Sequence, residues 1–67
     1  MSDELAEMAR NRVEYIRSIS DDPEEAHVEE KYLWREILAK AAVGRDVKGA
    51  AIEALKTTQI DFPRWFA

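Results

Sequence analysis

The run Ser20-Asp21-Asp22-Pro23-Glu24-Glu25 is the feature that most constrains how this chain can fold. Proline fixes φ and lacks a backbone N–H, so within a helix it is tolerated at the first position and costly further in. Asp22 suits the N-cap before it, and Glu25 suits the third position of a capping box after it. A helix therefore begins at residue 23, and the chain before Ser20 must be a separate element. On both sides apolar residues recur at three- and four-residue spacing, the period of an amphipathic helix. Leu5, Met8, Ala9, Tyr15, Ile16 and Ile19 form one stripe; Ala26, Leu33, Trp34, Ile37 and Ala41 form the other. The connection is only about three residues long, which favours antiparallel neighbours.

Each stripe is broken by one charge, Arg12 in the first and Glu30 in the second. Both residues stand nine positions from Asp21. A hairpin folded about that residue places them at the same height, so the spacing predicts a structural ion pair between Arg12 and Glu30.

The first helix is expected over residues 3–19, capped by Ser2, with Asp3 and Glu4 complementing the positive end of its dipole. The second is expected over residues 23–43, closed by Gly44 in the left-handed conformation. It carries a further stripe, Val28, Tyr32, Ala39 and Val43, nearly opposite the first, and a helix apolar on two sides needs cover on both. That cover must come from the C-terminal third of the chain or from a second copy. Asp46 suits the cap of a short third helix over residues 47–56, rich in alanine and weakened by about 1 kcal/mol at Gly49 relative to alanine. Pro63 disfavours helix at Phe62. Around it, Phe62, Trp65 and Phe66 place three of the six aromatic residues in the last six positions. The expected fold is all-α: an antiparallel helical hairpin, a short third helix and an ordered aromatic C-terminal tail, together one small three-helix domain over residues 1–67.

Sixty-seven residues lie near the lower limit for a self-sufficient core, and with no cysteine neither a disulfide nor a thiolate metal site can reinforce it. The 46% apolar content overstates the core, since ten of those residues are alanine. Self-association is expected on these grounds. No apolar run approaches the roughly 18 residues of a membrane span, and the N-terminus lacks the basic-then-apolar order of a signal peptide, so a cytoplasmic location is expected. Charge is unevenly spread: residues 1–30 hold ten acids against three arginines, a net −7, while residues 31–67 hold four acids against seven bases, a net +3.

Chemistry-bearing patterns are sparse. Glu24 and His27 have the Glu-x-x-His spacing of carboxylate-bridged di-iron bundles, but one copy cannot supply such a site and Glu24 is explained as a first-turn acid. Neither metal nor cofactor is expected. Ser2, Ser18, Ser20, Thr57 and Thr58 all stand in cap or turn contexts with no pattern linking them to His27, and two glycines cannot make a phosphate loop. No catalytic residue is assigned. The size, the acidity and the lack of a catalytic set are compositionally similar to the short helical modulators of bacteria and their phages.

The leading function is therefore protein–protein interaction, as a small acidic adaptor, inhibitor or assembly subunit that forms homo-oligomers. Candidate partner-binding residues are Phe62, Arg64, Trp65 and Phe66 of the tail, with Val28 and Tyr32 of the second stripe. Two alternatives come from other classes. One is an acidic mimic of nucleic acid that occupies a DNA-binding protein. The other is a weak helix-turn-helix-like DNA binder using Arg45, Lys48 and Lys56, disfavoured because the whole domain is acidic.

Overall fold

The computed structural model describes residues 3–64, and among them every regular element is helical. Helix α1 spans Glu4–Ser18, α2 spans Pro23–Ala42 and α3 spans Lys48–Leu55, followed by a single 3-10 turn over Lys56–Gln59 and an extended tail. No helix among the described residues is long and apolar enough to cross a membrane.

Local signals set the boundaries. Asp22 caps α2 through its carboxylate, which accepts from the Glu25 amide, and Pro23 takes the first position. At the other end of α2, Gly44 adopts φ +88°. The Gly44 amide donates to the Ala41 carbonyl and the Arg45 amide to the Lys40 carbonyl, the paired bonds of a Schellman closure. At the start of α1 the cap is Asp3, whose carboxylate accepts from the Ala6 amide at 3.0 Å; Ser2 lies outside the described residues. Asp46 accepts from the Lys48 amide and thereby serves the first turn of α3.

Packing departs from the hairpin expectation. The principal interface of α1 is with α3, and its contact with α2 is smaller. The reason is size. Ala6 and Ala9 on α1 face a helix whose inner residues include Gly49, Ala50 and Ala54, and small side chains let two backbones approach closely. Five of the alanines that add little area individually (Ala6, Ala9, Ala26, Ala50 and Ala54) are buried. Around them Val13, Ile16, Leu33 and Ile37 supply the bulk of the core, and Ile60 and Phe62 close it from the tail.

The expected Arg12–Glu30 pair does not form. Arg12 lies at the rim of the buried arc of α1, which is Ala6, Ala9, Val13 and Ile16, and its guanidinium meets Glu36 at 3.1 Å. Glu36 is six residues beyond the height-matched position, about 9 Å farther along α2. Because α1 leans onto α3, register about Asp21 does not fix which residues of α1 and α2 meet.

Gly49 is the tightest point of the α1–α3 contact. A Cβ there would lie 2.5 Å from Asp3 Oδ2 and 3.3 Å from the Ala6 Cβ. Asp3 cannot swing away without giving up its cap, worth about 1 kcal/mol. Helix propensity alone makes Gly49→Ala stabilising by about 1 kcal/mol; loss of the Asp3 cap costs about as much, so the structure cancels the expected gain. Chemical denaturation decides between the two outcomes, and a Gly49→Ala variant more stable by the full propensity gain would contradict the close approach.

Candidate docking groove and the charge clasp beneath it

Glu30 is buried on the inner face of α2, and a carboxylate there must be hydrogen-bonded. Its partner is Arg64, 34 residues away. The guanidinium donates from Nε to Oε1 at 2.9 Å and from Nη2 to Oε2 at 3.1 Å, a bidentate fork. The same guanidinium donates to the carbonyls of Thr57, Ile60 and Phe62 and lies 3.8 Å from the centre of the Phe62 ring. One arginine thus serves three carbonyls of the 3-10 turn and tail and ties both to α2. Burial pushes the Glu30 carboxyl up, but the hydrogen bonds of Arg64, the polar Thr57 side chain and the charges of Arg64 and nearby His27 outweigh it and hold the group below the ordinary glutamate value.

A second tie lies about one turn along α2. The Trp34 indole N–H donates to the Thr57 hydroxyl at 3.2 Å, and that hydroxyl donates to the Ala54 carbonyl at 3.0 Å. Thr57 is fully buried. The indole is held in place while its residue remains 38% exposed.

Beside Trp34, α2 and α3 frame an open apolar groove of about 210 Å³, lined by Trp34, Ile37, Leu38, Ala51, Ala54 and Leu55. It exists because small Ala51 and Ala54 on α3 stand opposite large residues on α2. Leu38 at 68% exposure and Leu55 at 59% flank it, with Ile52 at 54% beside them on the outer side of α3. Several large apolar side chains thus crowd one face.

The tail residues divide. Phe62 is core and Arg64 is engaged internally, so neither is free to contact a partner; Trp65 and Phe66 lie outside the described residues. Of the second stripe of α2, Val28 is half-buried, while Tyr32, Ala39 and Val43 are exposed. Glu24 is exposed, and the carboxylate nearest His27 is Glu30, 3.6 Å from Nδ1. Trp34 belongs to a sequence stripe assigned to the core, and Leu38 belongs to neither stripe. Its isolation as a large apolar residue off both faces is the signal that points to it.

Comparison with protein-family models, with curated proteins and with solved structures finds no match.

Two ion pairs provide contrasting tests. Arg12–Glu36 is partly exposed on both sides and should show a double-mutant coupling of at most about 1 kcal/mol. Glu30–Arg64 should show clearly more, with Arg64→Met alone costing about 3 kcal/mol, the low end for breaking a buried pair because the Arg64 side chain is a third exposed. The clasp also has a pH signature. A carboxyl with a lowered folded-state pKa binds fewer protons folded than unfolded, so its contribution is complete above the ordinary glutamate pKa of about 4.3 and is lost as pH falls through the lowered value. The stability advantage of the parent over Glu30→Gln should therefore be full at pH 6 and should shrink on acidification below the ordinary value. An advantage unchanged down to the acid limit of folding would show that the ionised clasp is not its source.

Proposed function

We propose that this chain is a small, non-catalytic protein–protein interaction module that docks a partner through the α2–α3 groove. The observation that carries the reading is the concentration of exposed Trp34, Leu38 and Leu55 around one concave apolar site on a chain whose core is closed elsewhere. Exposed apolar residues scattered singly need no explanation, but a contiguous patch marks an interaction site. The groove is smaller than the roughly 300–1,000 Å³ of typical small-molecule sites, and its six lining side chains carry no nucleophile or titratable group. It suits one inserted side chain: about 150 Å³ holds a benzene-sized ring. Trp34, oriented by its bond to Thr57, provides a pre-organised wall, which lowers the entropic cost of binding.

This reading is favoured over an acidic mimic of nucleic acid. The acids at the turn between α1 and α2 include Asp22, which caps α2, and Arg10 and Arg17 interrupt the acidic surface of α1. The tail belongs to the proposal as the strap that holds the α3 end of the groove, with Arg64 as its fastening.

Leu38→Asp tests the assignment. The residue is exposed, so substitution should cost no more than about 1 kcal/mol, which covers the lower helix propensity of aspartate and its place near the C-terminal end of α2. Helical circular dichroism and thermal midpoint should stay near the parent values, while a protein captured by the parent from an extract of its source cell should be lost. Retention of the same protein by a folded Leu38→Asp variant would place docking elsewhere.

A further inference from the structure

We infer that the occupant of the α2–α3 groove is an acidic amphipathic helix of another protein, seating a large apolar side chain between Trp34, Leu38 and Leu55 and carrying carboxylates along its flanks. This rests on the docking reading above and specifies the partner's chemistry. Three exposed cations border the groove. Lys31 is three residues before Trp34, and Arg35 is three before Leu38 and four after Lys31, so both share its side of α2. Lys48 is three residues before Ala51 and starts the other wall. None of the three forms an ion pair with a described residue, whereas Arg10, Arg12, Arg17, Lys56 and Arg64 all do. The chain is acidic overall, yet three of the five cations that pair with no described residue border its apolar groove, the other two being Lys40 and Arg45 at the C-terminal end of α2. Complementary rim charges steer and select partners around an apolar centre.

The same rim argues against a second copy. A two-fold dimer through this groove would face the patch with itself and so set one basic rim against another. A concave site with walls from two helices favours an inserted side chain from a helix, the groove-binding mode in which anchors recur at i, i+3 or i+4 and i+7.

The test uses the full chain and two synthetic 16-residue helical peptides with leucines at i, i+4 and i+7, one flanked by glutamates and one by lysines. Binding is read by fluorescence anisotropy of the labelled peptide at low and high salt. The expected result is that the glutamate peptide binds about tenfold or more tightly than its lysine twin at low salt, and that this preference shrinks as salt screens the rim. Leu38→Asp should abolish binding, and the double variant Lys31→Glu/Arg35→Glu should reverse the preference while its circular dichroism and melting temperature show it folded. Equal binding of both peptides, preference for the lysine peptide or binding of neither would overturn the inference. So would self-association in sedimentation that Leu38→Asp removes, which would make a second copy the occupant, or binding of phosphatidylserine vesicles in place of either peptide. The two readings fail separately. Loss of partner capture in Leu38→Asp together with insensitivity to Lys31→Glu/Arg35→Glu would keep the docking groove and refute the acidic helix.

Discussion

The structure hangs on the bidentate contact between Glu30 and Arg64. Removing both charges from water costs several kcal/mol per ion, and the geometry offsets this by giving each oxygen of the carboxylate an N–H and by letting the guanidinium serve three backbone carbonyls as well. Those carbonyls belong to the 3-10 turn and tail, and that of Thr57 also accepts from the Ile60 amide at 3.0 Å. With Arg64 in place, Ile60 and Phe62 are carried onto the core, and Thr57 is buried beside Ala54 where it can accept the Trp34 indole. The clasp therefore acts on the core and on the groove at once.

The second constraint is steric. A chain this short cannot build its core from large side chains alone, and alanine and glycine serve it by letting helices approach closely. Gly49 opposite Ala6 and the Asp3 cap brings α1 against α3, and that approach angles α1 away from a height-matched path along α2. The result is an elongated molecule, 34 × 22 × 14 Å in Cα extent. Its second stripe on α2 stays exposed at Tyr32, Ala39 and Val43, and an apolar groove stays open between α2 and α3.

That open side and the clasp are linked through Thr57. Its carbonyl accepts from Arg64 and its hydroxyl accepts from Trp34. A groove wall fixed by the same residue that anchors the tail is stiffer than an exposed tryptophan on a free helix surface, and stiffness is what turns an apolar patch into a selective one. On the proposed docking reading, the basic rim would add a second element of selection, because Lys31, Arg35 and Lys48 would favour an acidic neighbour.

The sequence by itself determined the elements. Asp22-Pro23, Gly44 and Asp46 act through bonds spanning at most a few residues, so the helix limits were readable from adjacent letters, as were the inner-face residues Ala26, Leu33 and Ile37 of α2. It also marked Glu30 as an anomaly and Arg64 as a polar residue in an apolar tail, without joining them. Tertiary structure alone decided that Glu30 belongs to Arg64 and Arg12 to Glu36, that α1 favours α3 over α2, and that Trp34 and Leu38 border a groove. Periodicity reports which face of a helix is apolar but not what that face meets. Partner choice depends on how closely two backbones can approach, and here that is set by glycine and alanine contacts between residues more than forty positions apart.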